Sequence, residues 1–101
     1  MTDRELLEMA AKAAGAEWLS DRWVALRDDG VWHTWDPLED DGDALRLAVK
    51  LNLLIDCVSQ CARPLDDSLG WFDGDSDEDD QTAVRRAIVR AAAEIGATKE
   101  A

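Results

Sequence analysis

The sequence predicts a single α+β domain in which three helices flank a small antiparallel or mixed β-sheet, in the order α-β-β-α-β-β-α. Three segments, around residues 5–14, 44–51 and 83–95, repeat their apolar residues at helical spacing. Between them lie stretches rich in β-branched and aromatic residues, separated by turn sequences. The chain has 101 residues, of which 47% are hydrophobic, and can therefore bury one core without disulfides or metal. A small sheet flanked by three helices fits the layer rules for a single α+β domain over residues 1–101.

The first helix is predicted to begin at a capping box. Thr2 and Glu5 have the spacing at which their side chains accept hydrogen bonds from each other's backbone amides. Gly15 follows the last apolar residue and is a natural helix end, because glycine adopts the left-handed conformation without steric cost. The predicted buried face comprises Leu6, Leu7, Met9, Ala10, Ala13 and Ala14.

Residues 17–36 predict a β-hairpin. Residues 18–26 and 31–35 contain many β-forming side chains, and Arg27-Asp28-Asp29-Gly30 between them is a typical turn sequence. The pair Asp36-Pro37 ends the second strand, since proline cannot donate a ladder hydrogen bond.

The tryptophans of this hairpin cannot all lie on one face of a small sheet. Trp18 and Trp23 are five residues apart, and Trp32 and Trp35 are three apart, so on regular strands each pair diverges. We therefore expect at least one of them to be substantially exposed. If helices cover both faces of the sheet, all four belong to the core instead.

The second helix is predicted to begin within the acidic cluster Glu39, Asp40, Asp41 and Asp43. Carboxylates at a helix start accept hydrogen bonds from free amides and complement the helix dipole. We expect this cluster to be structural, with one acid as the cap and the others on the surface. The predicted buried stripe comprises Ala44, Leu45, Leu47, Ala48 and Leu51, with Asn52 as the residue after the helix.

Residues 53–61 alternate between apolar and polar side chains, which predicts one half-buried strand ended by Arg63-Pro64. A short partner strand is predicted from Leu69 to Phe72, after a turn at residues 66–68. Residues 66–80 contain eight acids and no base. Because like charges repel and few apolar side chains are present, we expect an acidic loop there.

The third helix is predicted to follow this loop, with Asp79 or Asp80 as its cap. Gly96 is predicted to end it, and residues 97–101 to form a frayed tail. Its predicted inner face comprises Ala83, Val84, Ala87, Ile88, Ala91 and Ile95, and its predicted outer face carries Arg85, Arg86 and Arg90.

The charge distribution predicts the class of partner. The net charge is −12, and residues 31–80 hold 14 of the 23 acids but three of the 11 bases. Direct binding to nucleic acid or an anionic membrane is not expected, because both require Lys and Arg. A negative field instead accelerates association with basic protein surfaces. The N-terminal segment lacks a signal-peptide core and no stretch approaches a membrane span, so we expect the protein in the cytoplasm.

The motifs for metal binding and catalysis are incomplete. Asp73, Asp75 and Asp77 occupy the first, third and fifth positions of an EF-hand loop, but Glu78 stands where the loop needs glycine and Val84 where it needs glutamate. We therefore expect no calcium site, no cofactor and no enzymatic activity.

The histidine and the cysteines do not form a recognisable site in the sequence. His33 is the only histidine, and no nucleophile motif accompanies it. Zinc needs three or four suitably spaced ligands, which His33, Cys57 and Cys61 do not provide. The two cysteines are poorly placed for a disulfide, which favours free thiols in a reducing compartment.

Three segments together resemble a family of small phage-encoded proteins, the phage ABA sandwich domain family. They are residues 5–15 (ELLEMAAKAAG), residues 35–38 and 40–51 (WDPL, DDGDALRLAVKL) and residues 85–96 (RRAIVRAAAEIG). The resemblance implies an α-β-α sandwich fold and a viral or prophage origin. It implies little about activity, and the acidic run Asp73–Asp80 is not part of the family's pattern. By analogy, small acidic phage proteins often bind and disable host machinery, including CRISPR effector complexes.

The leading hypothesis is an inhibitor that binds a basic surface of a host defence factor, such as a CRISPR effector subunit, in competition with nucleic acid. The dense charge beside aromatic residues is typical of an electrostatically steered interface. The alternatives are a virion assembly protein without inhibitory activity and a small hydrolase or metal-binding protein. The predicted partner-binding residues are Trp71, Phe72, Asp73, Asp75, Asp77, Glu78, Asp79 and Asp80.

Overall fold

A computed structural model describes residues 2–65, 70–74 and 79–99, and these residues form three helices and two antiparallel sheets of three strands each. The elements in chain order are α1 (Asp3–Ala14), β1 (Glu17–Leu19), β2 (Arg22–Leu26), β3 (Trp32–Thr34), α2 (Asp41–Lys50), β4 (Leu53–Asp56), β5 (Cys61–Pro64), β6 (Phe72–Asp73) and α3 (Asp80–Lys99). The predicted α+β class is confirmed. The strands, however, divide into two separate sheets, with order β1-β2-β3 and β4-β5-β6.

Helix α3 lies at the centre of the hydrophobic core and packs against α1, α2 and the second sheet. Its many alanines permit close approach of the surrounding backbones on several sides. The buried residues of α3 include Ala83, Ala87, Ile88, Val89, Ala91, Ala92 and Ala93. The core is completed by side chains from α1, α2, the second sheet and the segment before α2, among them Leu6, Trp35, Leu38, Leu47 and Ala62.

The predicted end of the third helix is wrong, because α3 continues past Gly96 to Lys99. Gly96 is buried where α3 crosses α1, and a Cβ atom at this position would lie 1.8 Å from the carbonyl oxygen of Met9. The glycine thus permits a close helix–helix contact instead of ending the helix. Residues 97–99, predicted to be a frayed tail, are helical.

The first sheet is a three-stranded meander where the sequence predicts a two-stranded hairpin. Ser20 adopts a positive φ of 57° and makes an additional turn between β1 and β2. The predicted turn before β3 is present, with Gly30 at φ 78° and its amide donating to the carbonyl oxygen of Arg27 at 2.9 Å. β2 pairs with both neighbouring strands in antiparallel register.

The second sheet also contains a turn that the sequence did not predict. The single strand predicted over residues 53–61 is instead β4, a turn and the start of β5. The Asp56 carboxylate accepts hydrogen bonds from the amides of Val58 and Ser59, both at 3.1 Å, and Gln60 completes the turn at φ 58°. β6 matches part of the predicted partner strand, while Leu69 lies outside the described residues.

The predicted helix boundaries are otherwise confirmed. Thr2 and Glu5 form the capping box of α1, and Gly15 ends that helix at φ 79°. Asp40 caps α2, and Asn52 adopts the left-handed conformation after it at φ 55°. These boundaries depend on local hydrogen bonds, which explains why the sequence alone predicts them.

Candidate protein-binding surface

The residues predicted to bind a partner lie between β5 and the first turn of α3. The structure places Phe72 and Asp73 in β6 with Trp71 directly before it, and Asp79 and Asp80 at the N-terminus of α3. The predicted contact residues Asp75, Asp77 and Glu78 lie outside the described residues. Close packing holds the two described ends together, since a Cβ at Gly74 would lie 1.8 Å from the carbonyl oxygen of Ala83 in α3.

The two aromatic residues of the predicted site have different environments. Phe72 is opposite Ala62 in the strand register and packs, half-buried, against the hydrophobic core. Trp71, one residue earlier, is 52% exposed. Because successive side chains of an extended segment point to opposite faces, Phe72 holds β6 on the core while Trp71 faces solvent.

Trp71 is oriented by a cation–π contact on the outer face of the second sheet. The Arg63 guanidinium carbon lies 5.1 Å from the centroid of the Trp71 ring, within the range of a favourable interaction. The exposed indole is therefore held in place by a neighbouring strand, which reduces the entropy that a partner must overcome when it packs on Trp71.

A row of polar side chains crosses the same outer face. Cys61 of β5 pairs with Asp56 on one side and with Asp73 on the other. Partial burial, followed by the negative charges of Asp73 and Asp56, raises the pKa of Cys61. The thiol therefore remains protonated and weakly nucleophilic at neutral pH.

Asp79 and Asp80 both make contacts within the fold. The Asp79 carboxylate caps α3 by accepting a hydrogen bond from the Thr82 amide at 2.7 Å, which confirms the predicted cap. This hydrogen bond, with a second from the Thr82 side chain, lowers the pKa of Asp79. Asp80 accepts a hydrogen bond from Gln60 Nε2 at 2.6 Å. Asp73 and Asp80, the first and last residues of the acidic run Asp73–Asp80, thus both make contacts with other parts of the fold.

A cleft of about 460 Å³ adjoins this end of the acidic segment and lies between α2, α3 and the β4–β5 turn. Its lining combines an apolar floor with polar groups at the rim. The lining residues are Asp41, Ala44, Leu45, Ile55, Cys57, Asp80, Gln81, Val84, Arg85 and Ile88. The sequence did not predict this cleft, because its lining residues are up to 47 positions apart in the chain.

The sequence contained one signal of the cleft, which is the position of Leu45 on α2. The sequence predicts it to be buried, but it is 59% exposed at the cleft. Ala44, Leu47 and Ala48 form the buried face of α2, and Leu45 lies at the edge of that stripe. Because the buried stripe of α2 is complete without Leu45, an additional leucine at its edge was the signal in the sequence.

The arginines of α3 hold the fold together, so their predicted placement on an outer face is wrong. The Arg85 side chain is 14% exposed; its Nε donates to the Leu38 carbonyl oxygen at 2.8 Å and it forms an ion pair with Asp41. Arg86 forms an ion pair with Asp3 at 3.0 Å, and Arg90 donates to the Asp73 carbonyl oxygen at 2.8 Å. These contacts join α3 to the other elements.

The acidic cluster at the start of α2 has the predicted structural role, but the predicted surface position of Asp43 is wrong, because its carboxylate is buried among hydrogen-bond donors. Asp40 accepts a hydrogen bond from the Asp43 amide at 2.8 Å as the helix cap. Asp43 is buried, and its carboxylate accepts hydrogen bonds from Arg46 at 2.8 Å and from the Asp36 amide at 2.9 Å. Arg27 lies 3.4 Å from the same carboxylate. Asp43 thereby joins α2 to the end of the first sheet.

The expectation of an exposed tryptophan in the first sheet is confirmed, since Trp18 and Trp32 are 49% and 45% exposed while Trp35 is buried. The prediction that Trp18 and Trp23 lie on opposite faces is wrong. The additional turn at Ser20 makes them cross-strand partners, with ring centroids 5.2 Å apart in an edge-to-face arrangement.

The histidine and the cysteines belong to different sheets. His33 Nε2 lies 2.9 Å from an Asp29 carboxylate oxygen on the first sheet, and this hydrogen bond lowers the pKa of Asp29. Cys57 and Cys61 are free thiols in the second sheet and its turn. Within residues 2–65, 70–74 and 79–99, no cluster of three or more His, Cys, Asp or Glu side chains is placed to hold a metal ion.

Comparison with known proteins identifies no relative of this chain. No protein-family model, curated protein or solved structure matches it. In the part of the chain that the structure describes, no helix has the length and apolar character needed to cross a membrane.

Proposed function

We propose that this protein binds a basic, nucleic-acid-binding surface of another protein and thereby prevents nucleic acid from reaching it. The observation that carries the proposal is the placement of charge. Residues 66–80 contain eight acids and no base, and the described part of this segment presents an exposed Trp71. An exposed aromatic residue beside concentrated charge combines apolar contact area with electrostatic steering.

The contacts of the arginines of α3 also support an acidic binding surface. Arg85, Arg86 and Arg90 make hydrogen bonds or ion pairs with other parts of the fold. A surface that binds phosphate directly needs Lys or Arg directed outward, whereas an acidic protein that competes with nucleic acid needs the opposite arrangement. Such competition depends strongly on salt, because both ligands displace counterions from the same basic surface.

The proposed partner is a host defence factor, with a CRISPR effector subunit as the first to examine. This choice follows the resemblance to phage-encoded sandwich proteins and the analogy with acidic phage inhibitors. The protein would act by occupancy in the host cytoplasm, without a cofactor and without catalysis.

The test compares two variants of equal charge. One variant neutralises the acidic segment by Asp→Asn and Glu→Gln substitutions at Asp73, Asp75, Asp77, Glu78, Asp79 and Asp80. The control variant makes the same substitutions at exposed acids elsewhere, namely Glu8, Glu17, Asp21, Asp28, Glu39 and Glu94. Each loses six negative charges, and asparagine at position 79 retains the ability to cap α3.

The measurement is competition between this protein and labelled nucleic acid for a purified CRISPR effector complex or for a basic protein captured from host lysate, followed by fluorescence anisotropy. We expect the unmodified protein and the control variant to displace the nucleic acid, and the variant neutralised at residues 73–80 to fail. Equal displacement by both variants would show that the acidic segment has no role in binding.

A second candidate function, virion assembly by self-association, is favoured by the outer face of the first sheet. Leu26 and Trp32 are cross-strand partners, and both are exposed, as is Leu19 at the edge strand. Light scattering decides this candidate, because an assembly protein should form oligomers whose mass falls when Trp32 is replaced by serine. A monomer at all concentrations would exclude it.

A further inference from the structure

The cleft between α2, α3 and the β4–β5 turn has the dimensions and chemistry of a binding pocket. Its volume of about 460 Å³ is within the range of about 300–1,000 Å³ that ligand pockets occupy. Ala44 and Ile88 are buried at its floor, and Ile55 and Val84 are half-buried there. The floor therefore offers apolar contact and few hydrogen-bonding groups.

The walls of the cleft are held in place by polar contacts between elements. Gln60 Nε2 donates to Asp80 at 2.6 Å, which joins the β4–β5 turn to α3. Gln81 Nε2 donates to Asp41 at 3.2 Å, which joins α3 to α2. A preformed cleft requires little ordering when a side chain enters, so more of the contact free energy contributes to affinity.

Exposed apolar side chains extend the cleft at its edge. Leu45 lines one wall and is 59% exposed, and Val58, next to the lining residue Cys57, is 95% exposed at the tip of the turn. Burial of both would add apolar contact area around an inserted side chain, as at the centre of a protein–protein interface.

The charges at the rim select the kind of segment that enters. Arg85, the basic residue in the lining, is engaged by Asp41 and by the Leu38 carbonyl oxygen. Asp80 adds a carboxylate at the rim and is also the last residue of the acidic run Asp73–Asp80. Lysine or arginine residues beside an inserted apolar side chain would face the Asp80 carboxylate, which is charge complementarity of the kind that fixes register at interfaces.

From this combination we infer that the cleft takes one bulky aliphatic or aromatic side chain from a Lys/Arg-rich segment of the partner protein. The basic character of the partner is taken from the proposed function, on which this inference rests. The apolar anchor residue of the partner is the new element. Binding then has two separable parts, an electrostatic attraction to residues 73–80 and an apolar insertion between α2, α3 and the turn.

Two synthetic peptides separate these parts. One has seven residues, all Lys or Arg except a central Phe, and the other has Ser at the centre. Dissociation constants and amide shifts are measured by NMR titration of the isotope-labelled protein. We expect the Phe peptide to bind about tenfold more tightly, the value of one well-buried anchor residue, and to shift the amides of Leu45, Cys57 and Val84.

Two modifications of the cleft provide the matched tests. Leu45→Ser should remove the preference for the Phe peptide and leave the affinity of the Ser peptide unchanged; Leu45 is exposed, so the fold should tolerate it. Alkylation of Cys57 with N-ethylmaleimide in a Cys61→Ser background should have the same effect by filling the cleft. The control carries the same adduct at Val31→Cys, an exposed position beside the first sheet and outside the lining, with both native cysteines replaced by serine.

The outcomes distinguish the cleft from the acidic segment. Equal binding of both peptides, lost when residues 73–80 are neutralised, would overturn the cleft proposal and leave the proposed function standing. Failure of both peptides to bind at low ionic strength would overturn both. Self-association that Leu45→Ser abolishes would identify a second copy of the chain as the occupant and would also overturn the inference.

Discussion

Replacing Gly96 with alanine perturbs the closest contact between α1 and α3. The added Cβ would lie 1.8 Å from the carbonyl oxygen of Met9 and 2.8 Å from its carbonyl carbon. The first distance is about 1.6 Å short of the 3.4 Å at which ordinary van der Waals contact begins. Both neighbours are backbone atoms, so no side-chain rotation can relieve the overlap and the helices must move apart.

The expected magnitude follows from two opposing effects. Overpacking of a filled core costs about 1–3 kcal/mol, and more where backbone must shift. Alanine is favoured over glycine inside a helix by about 1 kcal/mol. We therefore expect Gly96→Ala to lower the free energy of unfolding by about 2 kcal/mol, which for a domain of this size corresponds to a decrease in Tm of about 8–16 °C.

Urea titration monitored by tryptophan fluorescence and far-ultraviolet circular dichroism measures the effect, and Gly42→Ala in α2 is the matched control. A Cβ at Gly42 would lie 3.1 Å from Arg46 Nη2 and 3.2 Å from Asp40 Oδ2, so these side chains need to shift by only a few tenths of an ångström and can keep their hydrogen bonds to Asp43. The control should be as stable as the unmodified protein, or more stable by up to about 1 kcal/mol. Equal stability of Gly96→Ala and Gly42→Ala would refute the packing role of Gly96.

Three further predictions concern the candidate surface and the buried carboxylates. Gly74→Ala should destabilise the protein by about 2 kcal/mol, because its Cβ would lie 1.8 Å from the Ala83 carbonyl oxygen; an unchanged urea midpoint would contradict this contact. Asp43→Asn should cost about 2–3 kcal/mol, since the buried carboxylate accepts a hydrogen bond from Arg46; thermal denaturation at pH 7 measures the loss, and a change below about 0.5 kcal/mol would remove the carboxylate's structural role. Burial raises the pKa of Asp36, so the folded state binds this proton more tightly than the unfolded state and stability falls as pH rises above the ordinary carboxyl pKa. The stability of Asp36→Asn relative to the unmodified protein should therefore increase as the pH rises from 3 to 7. A relative urea midpoint that decreases over this range would refute the raised pKa of Asp36.

The sequence predicts those features that depend on neighbouring residues. The capping box of Thr2 and Glu5, the left-handed Gly15 and the acidic caps at Asp40 and Asp79 were all predictable. Each involves hydrogen bonds within a few residues, so the residue types and their spacing carry the necessary information.

The unpredicted turns have a different cause. Ser20 and Gln60 adopt positive φ without being glycine, and neither residue type favours that conformation enough to be recognised. Each turn added a strand to its sheet. The cross-strand pairing of Trp18 and Trp23 followed from the turn at Ser20.

The packing role of Gly96 and the formation of the cleft depend on residues that are far apart in the sequence. A glycine near the end of an apolar pattern has two uses, as a helix end and as a site of close approach, and the sequence cannot distinguish them without knowledge of Met9. The exposure of Leu45 likewise requires the relative positions of α2, α3 and the β4–β5 turn. The acidic segment was recognisable from composition, whereas the cleft beside it was not.

The central position of α3 has a consequence for the synthesis of the protein. The buried face of α1 packs on residues that are translated some 80 positions later, so the core cannot close while the ribosome is still making residues 80–99. Until then Leu6 and the apolar face of α2 remain uncovered and available to chaperones and proteases. Long-range contacts of this kind also slow folding, because a long loop must close before they form. Because β6 packs on α3, Trp71 takes up its position beside β6 only after the last helix has been added.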